Sequence, residues 1–400
     1  MPILSRTIWI LALVSLFTDL ASEMLYPVMP VYLKSIGFSV LLIGMLEGIA
    51  EAAAGLSKGY FGDLSDRTGR RLPFIRAGYA LSAVAKPLLA FFTNAWWVFL
   101  MRTAERFGKG LRTAARDAML SDEATHETKG RVFGFHRTMD TLGAFLGPGA
   151  ALLFLHFCPQ QYKTLFLVAF IPGVAAIALT FLLREKSNRR HHSERGHLPG
   201  NLSFISFVRF WSRSPAAYKK LTAGLLAFAL FNSSDVFLLL KVKEAGMNDT
   251  CVIGAYIFYN LVYAAAAYPL GHLGDRIGLR TVFITGLFLF AAVYGGMAFS
   301  SSLPVFFALF FIYGIYAAAT EGIAKAWITN IVSHDQTATA IGTYTAFQSI
   351  CTMVASTLAG MIWHTLGAPV TFVLSATAAA AVGFYFLTEG ARRTPNPAKN

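Results

Sequence analysis

The chain has 400 residues, of which 55% are hydrophobic and only 14% charged, against about 25% charged in an average soluble domain. That balance excludes a water-soluble globule and puts most of the chain in lipid. The formal net charge of +13 would suit a nucleic-acid binder, but most of the basic residues gather in particular loops, and such placement reports membrane topology instead.

A spanning helix needs about 20 apolar residues and a short connection, so 400 residues shared among twelve spans leave about 33 each, which fits. The apolar segments begin near Ile8, Val40, Pro73, Ala95, Val132, Thr164, Leu221, Val252, Thr281, Pro304, Ala340 and Pro369. Lys and Arg gather in the termini and even-numbered loops, whereas the odd-numbered loops carry Lys34, Lys163, Lys241 and Lys243. Basic residues accumulate on the cytoplasmic side, so both termini and the central loop are expected there, in a multi-pass cytoplasmic-membrane protein. The first apolar stretch is long, carries Asp19 and Glu23 and lacks a small-residue cleavage site, which reads as span 1 rather than a signal peptide. The expected division is an amino-terminal six-helix bundle (1–183), a basic cytoplasmic linker (184–220) holding Arg189-Arg190-His191-His192, and a carboxy-terminal six-helix bundle (221–400).

In chain order, ionisable residues crowd the first half: Asp19 and Glu23 in span 1, Glu47, Glu51 and Lys58 in span 2, and Lys86 in span 3. Span 4 carries Arg102, Glu105, Arg106, Lys109, Arg112 and Arg116 at three- or four-residue spacing, one stripe of a helix. At about 1.5 Å per residue from Trp96-Trp97, Arg106 falls near mid-membrane. It must then face a cavity or meet a neighbour such as Glu105, Glu47, Glu51, Asp19 or Asp140. Arg112, Arg116 and Asp117 read as rim residues that snorkel or pair with the loop around Asp66. Span 5 adds His136, Arg137 and Asp140. The second half offers Asp235 in span 7 and a Glu321/Lys325 pair in span 10. Charges at membrane depth are functional candidates by default. Asp19 and Glu23, four apart, share a helix face, as do His136 and Asp140, and these four are the candidate proton-coupling groups. The alternative is permanent pairing with Arg106, Arg137 or Lys86. Candidate solute contacts are Tyr26, Glu47, Glu51, Arg102, Arg106, Arg137, Asn232, Asp235, Tyr256 and Asn260.

The loop after span 2, Gly62-Asp63-Leu64-Ser65-Asp66-Arg67-Thr68-Gly69-Arg70-Arg71, returns after span 8 as Gly271-His272-Leu273-Gly274-Asp275-Arg276-Ile277-Gly278-Leu279-Arg280. The copies share Gly-x-x-x-Asp-Arg-x-Gly-x-Arg at an offset of 209 (271 less 62), and Gly37 and Gly246 keep the same offset. This is a duplicated membrane domain. The glycines permit close approach and a tight turn, and the aspartate among arginines can latch two halves. The repeated loop, with twelve spans and a basic central loop, resembles the signature of the major facilitator superfamily. That resemblance implies two pseudo-symmetric six-helix bundles and a gate at Gly62, Asp66, Arg67, Gly69, Arg70, Gly271, Asp275, Arg276, Gly278 and Arg280. In span 5, Gly134, Gly143, Gly147 and Pro148 reproduce most of the antiporter motif of exporters in that superfamily, with Ala151-Leu152 where two further glycines stand. Close helix packing alone would also explain these glycines.

The expected function is a proton-coupled secondary transporter in a prokaryotic cytoplasmic membrane, moving a small organic solute by alternating access, outward in exchange for protons. A proton-coupled importer of an organic anion or siderophore, and a membrane sensor that has lost transport, stay open. The cationic surplus of spans 4 and 5 suits an anionic ligand unless the carboxylates of spans 1 and 2 cancel it. No nucleophile–base set, metal motif or phosphate loop marks an enzyme or an ATP-driven pump. No cofactor beyond the proton is expected, the partners are solute and lipid rather than nucleic acid, and one chain holds both halves, so a monomer suffices. Cys158, Cys251 and Cys351 show no ligand spacing and read as unpaired.

Overall fold

The computed structural model describes residues 4–26, 28–185 and 206–391, so the Arg189–His192 cluster lies outside the described residues. Its helices are α1 (Arg6–Glu23), α2 (Met29–Ser35), α3 (Val40–Thr68), α4 (Leu72–Leu88), α5 (Ala95–Asp122), α6 (Lys129–Phe157), α7 (Tyr162–Val168), α8 (Phe170–Thr180), α9 (Ser206–Arg213), α10 (Ala216–Ala229), α11 (Val236–Glu244), α12 (Asp249–Ile277), α13 (Leu279–Phe299), α14 (Leu303–Ile331), α15 (Thr337–Leu366) and α16 (Ala368–Ala391). They make twelve spans in two six-helix bundles. Span 1 is α1 with α2, span 6 is α7 with α8 and span 7 is α10 with α11, while the other long helices are one span each.

Among the described residues seven spans are long and apolar enough to cross a membrane on length and composition alone: the six helices α6 and α12 to α16, together with α7–α8. The other five have identifiable reasons to fall short. Spans 1 and 7 are each broken in two, α4 is only 17 residues long, and α3 and α5 carry the ionisable residues. Span 7 begins at Ala216, ahead of the expected Leu221. Lys219 and Lys220 made that stretch look like loop, but Tyr218 is buried and donates to the Ala340 carbonyl at 2.8 Å, while Lys219 turns back to the Ser212 carbonyl.

The duplication extends to backbone detail. Ser39 caps α3 by accepting from the Leu42 amide, and Asn248, 209 residues on, caps α12 by accepting from the Cys251 amide. Gly37 and Gly246 take φ of +93° and +85°, and Gly69 and Gly278 take +62° and +98°, a region that glycine enters without steric cost. Span 1 breaks between Glu23 and Met29 and span 7 between Ala229 and Val236, within three residues of the same offset.

The bundles meet along two seams, α6 on α12 and α3 on α15. Both depend on glycine. A Cβ on Gly271 would strike the Gly130 carbonyl, one on Gly62 would strike the Ala338 carbonyl, and one on Gly134 would sit 2.5 Å from the Ala267 carbonyl oxygen. Gly143 and Gly147 serve a different contact: their added Cβ atoms would meet the Leu16 carbonyl and Glu23 Cβ, so they seat α6 on α1 within the first bundle. Pro148 is buried inside α6 without ending it. The end of the molecule holding both repeated loops is here termed the motif end.

Because Gly271 leaves no room for a side chain, Gly271→Leu should part α12 from α6. Spin labels at the exposed Glu127 and Ser333 should then report a longer distance across the motif end than in the parent. An unchanged distance distribution would contradict the seam as described.

Candidate functional site

Each repeated stretch carries a carboxylate that caps a helix of the other bundle. Asp66 accepts hydrogen bonds from the Ala338 and Thr339 amides at 3.3 and 2.5 Å and from the Thr339 hydroxyl at 2.6 Å, at the start of α15. Asp275 accepts from the Gly130 and Arg131 amides at 2.7 and 2.9 Å, at the start of α6, with the Arg131 guanidinium at 3.1 Å. The first amides of a helix lack intrahelical partners and carry the positive end of its dipole, so a carboxylate there is both hydrogen-bonded and electrostatically favoured. Arg71, the last arginine of the first motif copy, completes the Asp66 site at 2.5 Å and lies 3.9 Å from Asp122. The other loop arginines point elsewhere. Arg67 pairs with Asp63 on its own helix at 2.9 Å, Arg70 and Arg276 are exposed, and Arg280 donates to the Phe386 and Leu387 carbonyls at the end of α16.

Between these clasps and the middle of the molecule lies a tier of ion pairs. Asp117, 1% exposed in its side chain, is held by Arg116 at 2.9 Å from its own helix and by Lys325 at 2.7 Å from α14. Arg137 donates to Asp140 at 2.7 Å on α6, and reaches Glu321 on α14 and the Tyr263 hydroxyl on α12. Glu321 and Lys325, four residues apart on α14, each grip the opposite bundle. Arg112 and Arg116, expected at the rim near Asp66, are buried: Arg112 stacks 4.3 Å over the Tyr79 ring and donates to Ser82 at 2.6 Å. Thr138 adds a cross-bundle bond to the Ala264 carbonyl, and Lys129 one to that of Thr329.

Above this tier, between the bundles, is a cavity of about 210 Å³. The first bundle contributes Asp19, Lys58, Lys109, Arg112, Arg137 and Asp140, and the second contributes Asn232, Tyr316, Glu321, Lys325, Tyr344 and Gln348. Asp19 and Asp140 line the cavity as neighbours where α1 packs on α6, and Ser15 donates to Asp140 at 2.5 Å. Asp19, Asp140, Arg137 and Asn232 are thus the predicted residues that converge on the cavity. Asn232 also donates to the Tyr316 hydroxyl at 3.1 Å.

The remaining candidates stand apart from it. Arg102 is sealed between α4 and α5 with Glu105 at 2.5 Å and Lys86 beside them, where desolvated charges complete one another. Arg106 meets Glu51 at 3.4 Å. Glu23 lies against Gly147 with Oε2 buried, and His136 is only 4% exposed beside the Asp117 and Asp140 charges. Tyr26 is half-exposed near the break in span 1. Asn260 bonds to the Tyr256 carbonyl one turn back on α12. Asp235 accepts from Tyr313 at 2.6 Å amid the packed rings of Tyr259, Tyr313 and Tyr316. The side chain of Glu47 lies outside the described residues. Sequence reasoning passed over Lys58 and Lys109 as solute contacts and, apart from Tyr256, the tyrosines of α12 and α14; six tyrosines recurring in those two helices were the available signal.

Asp66→Asn preserves shape but removes the charge at the start of α15, a loss of about 1 kcal/mol. A cysteine at Ala338, fully buried beneath the clasp, should then alkylate about fivefold faster, the population shift that 1 kcal/mol produces. Identical alkylation rates would strip the clasp of a gating role.

The chain matches the Major Facilitator Superfamily over residues 11–258 and again over 245–400. An uncharacterised transporter of that type from Methanocaldococcus jannaschii is 30% identical over 390 residues, covering 96% of this chain and 95% of the relative. Multidrug resistance protein MdtG of Dickeya zeae is 24% identical over 396 residues, covering 95% and 93%. Among solved structures, the human organic anion transporter MFSD10 superposes with a TM-score of 0.78 at 17% identity, over 96% of this chain and all of that one. The twelve spans, the duplicated loop and a match running the length of the sequence lead to one conclusion: the chain belongs to the major facilitator superfamily and is a membrane transporter.

Proposed function

We propose that this transporter exports a small organic solute in exchange for protons, with its motif end facing the cytoplasm. The observation that carries the reading is the Asp19–Asp140 contact on the cavity wall, joined to the opposite bundle through Arg137. Two neighbouring carboxylates repel one another when both are ionised, so a proton on one of them relieves the pair. That proton competes with Arg137 for Asp140. When it leaves, Asp140 draws harder on Arg137, and the arginine's hold on Glu321 across the cavity loosens. Proton occupancy and bundle contact are therefore alternative demands on one guanidinium, which is the coupling that exchange requires.

The orientation rests on basic residues lying at the motif end and in the central connection. With the clasps shut at that end, the cavity is offered to the other compartment, where a proton would be taken up and solute released. Export is supported by the antiporter-like glycines of α6 and by relatives named as multidrug resistance proteins. A monomer contains both moving bodies.

In everted vesicles, Asp140→Asn should reduce solute-driven dissipation of a pH gradient, read with a pH-sensitive dye, by at least about tenfold. Exchange of labelled for unlabelled solute should persist, because exchange needs no net proton movement. A variant that still dissipates the gradient would defeat the assignment. Gradient-driven accumulation in right-side-out rather than everted vesicles would identify an importer using the same proton site.

A further inference from the structure

We infer that the solute is a small carboxylate-bearing organic anion, with its acidic group held by Lys58, Lys109 and Arg112; this rests on the cavity being the solute site of the proposed exporter. Charge pairing around the cavity carries the argument. Arg116 and Lys325 share Asp117, and Arg137 has Asp140 and Glu321. Lys58, Lys109 and Arg112 line the same cavity with no carboxylate in ion-pair range among the described residues, since Glu51, the acid nearest Lys58, is turned to Arg106 at 3.4 Å.

Arg112 sharpens the point. It is 4% exposed, one guanidinium nitrogen donates to Ser82, its face rests on Tyr79, and its Nε has no hydrogen-bond partner. A buried guanidinium without a counter-charge is costly, and a carboxylate entering the cavity supplies that charge. Lys109 stands one turn along the same helix face, and Lys58 faces them from α3. The carboxylates that line the cavity leave little to attract a cation: Asp19 and Asp140 face each other, and Glu321 is taken by Arg137. The opposite wall, with Tyr344, Gln348 and Asn232, offers neutral hydrogen-bonding groups for the rest of the molecule. A volume of about 210 Å³ is below the roughly 300–1,000 Å³ of drug-sized sites, which suits a compact acid.

The full-length protein in lipid nanodiscs should be melted with benzoate, succinate, inorganic phosphate or the cation ethidium. A carboxylate should raise Tm saturably, and Lys109→Gln should weaken its apparent affinity about tenfold, the loss of one charge-assisted contact. Lys109 is exposed to the cavity, so this variant should fold even if Arg112→Gln does not. Lys34→Gln, on the surface at the end opposite the motif loops, should bind as the parent does. Stabilisation by ethidium or phosphate without a carboxylate response, or parental carboxylate affinity in both Lys58→Gln and Lys109→Gln, would overturn the inference. The vesicle assay separates the two readings. Carboxylate binding without gradient dissipation defeats proton exchange and leaves the anion site standing, whereas dissipation by ethidium keeps proton exchange and removes the anion.

Discussion

Everything else in this molecule hangs on a carboxylate docked at the start of a helix it does not belong to. Asp66 sits on the first amides of α15 and Asp275 on those of α6, so each bundle carries one half of two reciprocal bonds. Nothing covalent joins the bundles except the central connection, and in lipid the hydrophobic effect gives apolar helices no reason to prefer each other to acyl chains. Backbone amides without intrahelical partners, by contrast, must be satisfied. The clasps meet that need only while the seams are shut, and the seams shut only because Gly62, Gly130 and Gly271 let backbones touch.

On this symmetric frame the polar chemistry is lopsided. Caps and positive-φ glycines recur at the 209-residue offset and helix breaks within three residues of it, yet the cavity draws Asp19, Lys58, Lys109, Arg112, Arg137 and Asp140 from the first bundle and mostly tyrosine, amide and hydroxyl groups from the second. Duplication built the two bundles, and divergence gathered the charged side chains on one of them. The tyrosines around Asp235 fill in the second bundle the interior space that ion pairs occupy in the first.

What could be read in the sequence was whatever is local or periodic. The loop glycines announced their backbone, the offset announced the duplication, and composition announced twelve spans. The arginine stripe of α5 was visible as a stripe, but its members met four different fates: Arg102 sealed with Glu105, Arg106 on Glu51, Arg112 on Tyr79 and Arg116 on Asp117. Partner choice depends on which helix lies alongside, and partners such as Asp117 and Lys325 are 208 residues apart. For the same reason the glycines of α6 read as one motif, although Gly134 serves α12 while Gly143 and Gly147 serve α1. Arg71 rather than Arg67 or Arg70 proved to be the companion of Asp66, a distinction of helix phase that spacing in a turn does not reveal.

Glu321 and Lys325 stand four residues apart on α14, yet spend their charges on Arg137 and Asp117 of the other bundle. Each of those partners also has a companion at home, Asp140 for Arg137 and Arg116 for Asp117. Pulling the bundles apart therefore strands nobody: the two orphans on α14 are already spaced to find one another. On the exchange cycle proposed above, these ionic contacts would act like a commutator, swapping terminals as the rotor turns, and so would keep the barrier to rocking low while the interior remains charged.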